Sequence, residues 1–177
     1  QKDNNSGLTI TSTNTVTGSL AAQASYGAGI GSGQHIGYTS ISGYTVSNIT
    51  ISNCSIEASS DYGAGIGSGH HMGGNSASIS GNTVSNITIS NCSIKASSNY
   101  GAGIGSGYCV GGAYVSISGN IVSDITISNS SIEASSSYGA GIGSGYCERS
   151  NSASISGNTV SNITISGGSV KATKIDC

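Results

Sequence analysis

Apolar and polar residues alternate with a period of two along most of the chain. In the segment NITIS, Ile49 and Ile51 alternate with Thr50 and Ser52, and the alternation resumes after a short break in the segment SIEA. Period-two alternation over short segments, interrupted by SG, SN and GG, is typical of strands joined by turns. No segment shows a helical period with caps. The pattern therefore predicts an all-β protein.

The alternating segments recur at a nearly fixed step. The octapeptide YGAGIGSG occurs unchanged at 26–33, 62–69, 100–107 and 138–145, so the first step is slightly shorter than the next two, which are equal. Self-similarity of this kind indicates a repeat architecture, in which the terminal units are commonly atypical. We predict a single β-solenoid domain over 1–177. It would comprise an irregular N-terminal cap or first coil at 1–25, repeats at 26–170 and a C-terminal tail at 171–177.

Charged residues bear on how many coils one repeat makes. Successive repeat steps lead from Glu57 to Lys95, then to Glu133 and then to Lys171, so the signs of the charges alternate. With one coil per step these side chains are neighbours at about 4.8 Å, where opposite charges attract. With two coils per step they are nearly 10 Å apart (about twice the strand spacing) and interact little. The alternation favours one coil of about 38 residues and four to five coils in all; two coils per repeat is the alternative.

The cysteines show the same spacing. Cys54 and Cys92 are one repeat step apart, as are Cys109 and Cys147. Stacked Cα atoms about 4.8 Å apart fall inside the range that disulfides require. We expect these four residues to pair within each couple, which leaves Cys177 as a candidate for an intermolecular link or a free thiol. Five cysteines in so polar a chain favour an oxidising compartment.

Composition narrows the classes of function. Only 7% of the residues are charged and the net charge is −2, so clustered Lys and Arg for nucleic acid are lacking. No run approaches the roughly 18 apolar residues of a membrane helix. We predict a secreted or cell-surface protein without membrane insertion, from which any signal peptide has already been removed. With no Phe or Trp, the core has to be thin and built from Ile, Val and Ala.

The segment GAGIGSG invites two structural interpretations. Ala28, Ile30 and Ser32 share one face, and the glycines share the other. If the former point inward, stacked copies form a flat outward face that another backbone or a flat ligand can approach closely. The alternative is that the glycines face inward at a narrow corner. The predicted glycine face comprises Gly27, Gly29, Gly31, Gly63, Gly65, Gly67, Gly101, Gly103, Gly105, Gly139, Gly141 and Gly143.

Two further columns follow from the repeat. Outward hydroxyls are predicted at Thr50, Ser52, Thr88, Ser90, Thr126, Ser128, Thr164 and Ser166. Such a flat, regular array resembles the ladders of β-helical antifreeze proteins, which implies ice binding, although Thr also simply suits outward strand positions. A column of tyrosines that stack ring on ring is predicted at Tyr26, Tyr62, Tyr100 and Tyr138, where exposed rings can also stack on sugars.

Two further motifs are candidates for glycosylation and for metal binding. Asn48, Asn86 and Asn162 begin N-I-T sequons and are candidates for glycosylation, although Asn at a turn before a Ser/Thr strand produces sequons by accident. A column of His71, Cys109 and Cys147 contains metal-ligand types, but a zinc site needs four ligands of settled geometry. We predict no metal and no cofactor.

The unit ITISNCSIEASSDYGAGIGSG, with its copies from about Leu8 onward, resembles the glycine-rich repeats of large secreted and cell-surface proteins. The resemblance implies a right-handed parallel β-helix of the pectin-lyase-like kind and an adhesin-like role. Carbohydrate-active enzymes of that fold carry acidic clusters, whereas the seven acids of this chain are dispersed. We therefore expect no catalytic residues and no enzymatic activity.

These observations lead to one main hypothesis and two alternatives. We expect a non-enzymatic extracellular structural or adhesion protein that self-associates through solenoid faces or ends, as a surface coat, a stalk or a filament subunit. The first alternative is an ice-binding protein that uses the Thr/Ser columns. The second is a carbohydrate-binding module that contacts glycans through its tyrosines.

Overall fold

A computed structural model describes residues 7–13, 18–38, 40–75, 78–149 and 154–175. These residues form short strands and turns and contain no helix, so none that could cross a membrane. In chain order the strands are β1 (Leu8–Thr11), β2 (Gly18–Ala24), β3 (Ile30–Gly31), β4 (His35–Gly37), β5 (Thr45–Ser52), β6 (Cys54–Ser60), β7 (Ile66–Gly67), β8 (His71–Gly73), β9 (Ser78–Ser80), β10 (Thr83–Ser90), β11 (Ser93–Ser98), β12 (Ile104–Gly105), β13 (Cys109–Gly111), β14 (Ser116–Ser118), β15 (Ile121–Ser136), β16 (Ile142–Gly143), β17 (Cys147–Arg149), β18 (Ser154–Ile155) and β19 (Thr159–Ala172).

The strands form four parallel sheets, and each strand pairs with its copy in the next coil. The largest has the order β1-β5-β10-β15-β11-β6-β2, with β19 also paired to β15. The other sheets have the orders β16-β12-β7-β3, β17-β13-β8-β4 and β18-β14-β9. The fold is an all-β parallel solenoid of about four turns, as the repeat predicts. β1 and β2 lie in the segment predicted as an irregular cap or first coil, and both pair in register with the second coil.

Each coil corresponds to one repeat of the sequence. Lys95 pairs with Glu57 on one side and with Glu133 on the other, and Glu133 pairs with Lys171. The interpretation of one coil per repeat is therefore confirmed. The first coil is slightly shorter at most positions, since His35 pairs with His71 and Ile30 pairs with Ile66.

Asparagine makes the corners of the largest sheet. Asn53, Asn91 and Asn129 lie at the corner between its two legs, with φ between 46° and 55°. A left-handed backbone is costly for most L-residues but is tolerated by Asn, whose short side chain bonds locally. β15 and β19 run through this corner without a break. In β19 the corner position is occupied by Gly167, which has a φ of 66°.

The core is thin and is built from stacked Ile, Val and Ala, as composition requires. Ile49, Ile87 and Ile125 form one fully buried column, and Ile66, Ile104 and Ile142 form another. A second, smaller cluster contains Ile79, Ile117 and Cys109 with their neighbours. Because every coil supplies the same residue type to the same position, equivalent side chains pack directly on one another.

The outward glycine face is a wrong prediction. In the interior coils both the glycines and the residues between them are buried, from Gly63 to Gly69 and from Gly101 to Gly107. A Cβ on Gly65 would lie only 2.7–2.9 Å from backbone atoms of Gly103, Ala58 and Ser97. The segment is therefore packed between the adjacent coil and the facing leg of the solenoid. The close approach that favours glycine here comes from the same chain.

Asparagine also bonds successive coils from inside the solenoid. Asn120 is fully buried; its Oδ1 accepts a hydrogen bond from Asn82 N at 2.9 Å, and its Nδ2 donates to Gly107 O at 3.3 Å. Asn82 and Asn158 make the equivalent bonds in their own coils. This column, which is buried at Asn82 and Asn120 and exposed at Asn158 in the last coil, was not predicted from the sequence. Its signal is the recurrence of ISGN at the repeat step.

Candidate functional site

The outward Thr and Ser columns are formed as predicted on the first leg of the largest sheet. Ile49 and Ile51 of β5 are fully buried, so Thr50 and Ser52 between them point away from the core. The next three coils repeat this arrangement in exact register. We call the surface made by these side chains the hydroxyl face.

The hydroxyl face has a fifth row that the sequence analysis missed. Thr9 and Thr11 of β1 pair with Thr50 and Ser52, and Ser52 Oγ donates to Thr11 Oγ1 at 3.0 Å. The signal was present in LTIT, but the separation between β1 and its partner strand is longer than the regular step. Five rows at about 4.8 Å extend the face over roughly 20 Å along the axis.

The candidate glycosylation sites lie beside this face. Asn48, Asn86 and Asn162 are exposed, with φ between 54° and 60°. With Asp124 they form a column in which Asn86 Nδ2 approaches Asn48 Oδ1 at 3.5 Å and Asn162 Nδ2 donates to Asp124 Oδ1 at 3.0 Å. Hydrogen bonds from Ser123 and, to a lesser degree, from Asn162 lower the pKa of the Asp124 carboxyl. Neighbouring coils therefore leave little room for glycans on adjacent asparagines.

The predicted tyrosine column is present. Rings of Tyr26, Tyr62, Tyr100 and Tyr138 stack with centroids 4.7–5.0 Å apart and interplanar angles of 2–8°. Such distances and near-parallel planes suit aromatic stacking. Because each inner ring is covered on both faces by its neighbours, a sugar ring cannot stack on Tyr62 or Tyr100.

A second aromatic column, missed from sequence, lies against the first. His70, Tyr108 and Tyr146 follow successive GSG segments, and their centroids are 5.2 and 6.0 Å apart. Tyr62 contacts both His70 and Tyr108, which joins the two columns. The Tyr108 hydroxyl donates a short hydrogen bond to Glu148 Oε2. Burial and that bond raise the pKa of Tyr108.

Two buried histidines lie next to the aromatic columns. His71 is 0% exposed, and neither of its ring nitrogens has a hydrogen-bond partner among the described residues. His70 is also buried; its Nδ1 is 3.3 Å from Gln34 Nε2. Burial lowers the pKa of His70 to about 4, and burial with the nearby His35 and His70 lowers that of His71 to about 4. Both imidazoles are therefore neutral at pH 7.

The cysteines stack as predicted, but the structure contains no disulfide between them. Cys54 Sγ lies 4.0 Å from Cys92 Sγ, about twice the length of an S–S bond. Cys109 pairs in register with Cys147, and all four are free thiols. Burial, and then the neighbouring Cys92, raises the pKa of Cys54 to about 11. Cys177, the candidate for an intermolecular link, lies outside the described residues.

An ion-pair column crosses the second leg of the sheet. Lys95 Nζ lies 3.5 Å from Glu57 Oε1, and Lys171 Nζ lies 3.5 Å from Glu133 Oε1. A shallow groove of about 500 Å³ runs past these side chains and the serines beside them. Among the described residues no group of three or more His, Cys, Asp or Glu side chains is placed to hold one metal ion.

Comparison with known families agrees with this geometry. A family model described as a beta helix repeat matches residues 49–70, 87–108, 125–146 and 163–173. The chain carries parallel β-helix repeats. Each of the first three matches begins at a core isoleucine of the hydroxyl-face strand and ends at the second aromatic column, so the β-helix repeat coincides with the coil seen in the structure. No curated protein and no solved structure gave a match.

Proposed function

We propose that this β-helix repeat protein is a non-enzymatic structural protein of the extracellular space whose coils stack head to tail with those of further copies. The observation that carries the proposal is that side chains bond each coil to the next inside the solenoid. Ser98 Oγ donates to Gly63 O at 2.7 Å, and Ser136 Oγ donates to Gly101 O at 2.6 Å. The buried asparagines add a bond of 2.9 Å at another corner.

These contacts are the same from coil to coil. Each coil bonds to the following coil through the same groups that bond the preceding coil to it. A further coil can therefore be added without a new kind of contact. A head-to-tail contact that does not close on itself produces a filament. β19 shows the apolar part of such a contact, since Ile165 is 39% exposed in the column of the buried Ile51, Ile89 and Ile127.

The secreted location and the coat, stalk or filament role belong to the same proposal. Support comes from the low charge and from a core that any further coil can continue. The uniform outer surface gives neighbouring molecules one repeated pattern to contact. In such a role the solenoid supplies shape and attachment, and no chemical step is assigned to it.

Sedimentation velocity and electron microscopy of the 177-residue protein at rising concentration test this function. We expect linear species that grow with concentration. Ile165→Lys should block growth because it places a charge on the exposed apolar edge, whereas the matched variant Thr164→Lys, on the outward side of the same strand, should assemble normally. A protein that remains monomeric at every concentration would contradict the proposal, as would growth blocked by Thr164→Lys alone.

Ice binding is the second candidate, and the five-row hydroxyl face favours it. Flat, regularly spaced hydroxyls can order water in a repeating pattern, and this face carries a charge only at the flanking Asp124. Thermal hysteresis of the purified protein is the test. If the face binds ice, Thr88→Tyr in its centre abolishes the hysteresis, whereas Ser93→Tyr on the adjoining leg does not. No hysteresis in the unmodified protein would rule this candidate out.

A further inference from the structure

The ion-pair column on the second leg of the largest sheet runs along the side of the solenoid, whereas head-to-tail stacking uses its ends. From the second coil to the last, its members are Glu57, Lys95, Glu133 and Lys171, so negative and positive charges alternate. These side chains are 54–84% exposed and face solvent. Charged residues make up only 7% of the chain, yet each of these coils places one at the same position. A regular row of exposed charges is a pattern that a complementary surface can recognise.

Short side chains flank the column, so the charged groups project beyond their surroundings. A row of serines lies two residues before the charges and pairs in the same register, at Ser55, Ser93, Ser131 and Ser169. A shallow groove of about 500 Å³ follows both rows. Because serine is short, a second surface can approach until the ends of its own Lys and Glu side chains enter this groove. The face therefore suits a partner that also carries spaced charges on a flat sheet.

The column is its own complement when its direction is reversed. It begins with a negative charge at Glu57 and ends with a positive charge at Lys171, because it contains an even number of alternating members. The first coil has the uncharged Ala21 at this position and adds no fifth charge. A second copy of this chain, turned end over end, therefore presents a positive charge to every negative one and a negative charge to every positive one.

A two-fold axis that lies along the strands, midway between Lys95 and Glu133, brings two such faces together. Lys95 of each copy then lies opposite Glu133 of the other. In the same arrangement, Glu57 of each copy lies opposite Lys171 of the other. Since both columns have the same spacing of about 4.8 Å, one register satisfies all of these ion pairs at once. An interface in which the same surface serves both copies is the commonest basis of dimers.

We propose that the second leg is the interface at which two copies of this chain associate side by side, with antiparallel solenoid axes. Displacing one copy by one coil places like charges opposite each other at every remaining position, and a parallel arrangement in register does the same. Directly opposed like charges repel. A parallel arrangement displaced by one coil forms fewer ion pairs and lacks two-fold symmetry. The sign pattern therefore selects one orientation and one register.

The area of the face predicts a weak, salt-sensitive dimer. β6 and β11 contain seven and six residues, so the charged coils give a flat area of about 20 by 20 Å. This is half of the roughly 800 Å² that each partner buries in a stable interface. We expect the dimer to be populated at high protein concentration in low salt. It should be lost in about 1 M salt, where the Debye length is about 3 Å.

Carbodiimide cross-linking, which joins a carboxylate and an amine in direct contact, tests the proposal on the 177-residue protein at low ionic strength. Isotopically labelled and unlabelled protein are mixed in equal amounts, so that mass spectrometry separates links between copies from links within one. We expect a mixed-isotope link between Lys95 and Glu133 and a second link between Glu57 and Lys171. The residues of the second link are three coils, or about 14 Å, apart within one chain and cannot be joined there.

Head-to-tail stacking cannot produce the mixed-isotope link between Lys95 and Glu133. In such a stack these residues of two copies would lie at least four coils, or about 19 Å, apart. Ile165→Lys, which should block head-to-tail growth, should therefore leave both cross-links in place. The two kinds of contact can fail independently of each other.

Two variants separate the pattern of the charges from their presence. Glutamine at all positions of the ion-pair column should raise the dissociation constant of the dimer at least tenfold in sedimentation equilibrium. Reversing every charge retains alternation within each chain and complementarity between copies, so this variant should dimerise as well as the unmodified protein. Its substitutions are Glu57→Lys, Lys95→Glu, Glu133→Lys and Lys171→Glu. Circular dichroism checks that both variants are folded.

The link between Lys95 and Glu57 within one chain, whose charged atoms are 3.5 Å apart, shows that the reagent acts. If that link forms at high protein concentration while both expected links between copies are absent, the two faces do not meet and the proposal is wrong. Unchanged dimerisation of the folded glutamine variant would also overturn it. So would loss of dimerisation in the folded charge-reversed variant, because its column remains self-complementary.

Discussion

Lys95 and Glu57 face each other across adjacent coils, with Nζ and Oε1 3.5 Å apart. Both side chains are more than 60% exposed, and exposed pairs of this kind typically contribute between zero and about 1 kcal/mol. The column of alternating signs therefore adds little net stability. It matters more for register, because a coil shifted by one repeat unit would bring like charges together.

Reversing one charge in this column should destabilise the protein. In Lys95→Glu, three carboxylates would follow one another at strand spacing, and like charges directly opposite each other repel. We expect a loss of about 1–2 kcal/mol in the free energy of unfolding at low salt, largely recovered in high salt because the side chains are exposed. Thermal unfolding at two ionic strengths measures this effect.

The control for that experiment is Lys95→Gln, which removes the attraction without adding repulsion. It should cost less than Lys95→Glu and should be less sensitive to salt. Equal, salt-independent losses in the two variants would show that Glu57 and Glu133 do not flank position 95.

Glycine in GAGIGSG should be irreplaceable where the adjacent coil packs on it. Gly67 has a φ of +138°, and a Cβ there would overlap the Gly105 carbonyl. Because backbone atoms cannot move aside cheaply, we expect Gly67→Ala to cost about 3 kcal/mol or more. Gly157→Ala is the matched control, since nothing lies within 4 Å of the added methyl. Chemical denaturation of the two variants gives the comparison, and equal stability would argue against a buried glycine segment.

The glycine result shows where sequence reasoning succeeded and where it stopped. The repeat fixed the strand pattern, the coil length and the stacking of Glu57 on Lys95, because these follow from period and charge alone. The repeat did not show which side of Gly65 faces solvent. Alternation assigns residues to two faces but does not indicate which of the two is buried. Here both faces are buried, because the segment lies between two layers of the same chain.

The missed residues have a similar physical explanation. Asn82, Asn120 and Asn158 resemble ordinary turn residues in sequence, and only the coil geometry directs their amides inward. Asn53 and its copies, by contrast, are exposed at a corner, where Asn91 Nδ2 approaches Asn53 Oδ1 at 3.4 Å. Thr9 was missed because the first coil departs from the regular step.

Replacing a buried asparagine should cost far more than replacing an exposed one. Asn120→Leu would leave Asn82 N and Gly107 O without their partners inside the solenoid, and each unsatisfied buried group costs about 1–3 kcal/mol. We expect a loss of about 2–5 kcal/mol in the free energy of unfolding. Asn91→Gly, at an exposed corner with a φ of 52° that glycine also adopts, should change stability by less than about 1 kcal/mol. The denaturation midpoints of the two variants measure this difference. Similar losses of stability in Asn120→Leu and Asn91→Gly would contradict a buried, hydrogen-bonding role for Asn120.

Stability should fall as the solution is acidified below neutrality. The pKa values of His70 and His71 are about 4 in the folded protein and about 6.5 in the unfolded chain. The unfolded state therefore binds more protons between these values, so the stabilisation is complete above about pH 6.5 and is lost progressively as the pH falls towards 4. The full effect is at most about 3 kcal/mol for each histidine.

Denaturation between pH 7 and pH 4.5 measures this dependence. His70→Phe, which keeps an aromatic ring in the stack with Tyr108, should flatten the profile. At pH 7 the free energy of unfolding of this variant should be close to that of the unmodified protein. A slope as steep as that of the unmodified protein would show that His70 does not titrate as a buried neutral group.

The central claim is that one repeat of the sequence advances the chain by one coil, so that equivalent residues are direct neighbours. Amide–amide nuclear Overhauser contacts in perdeuterated protein test it most directly, because only protons within about one strand spacing give cross-peaks. We expect the amides of Ile87 to connect with those of Ile49 and Ile125, which pair with it on either side. Cross-peaks that join Ile49 to residues half a repeat away, with none to Ile87, would contradict the claim.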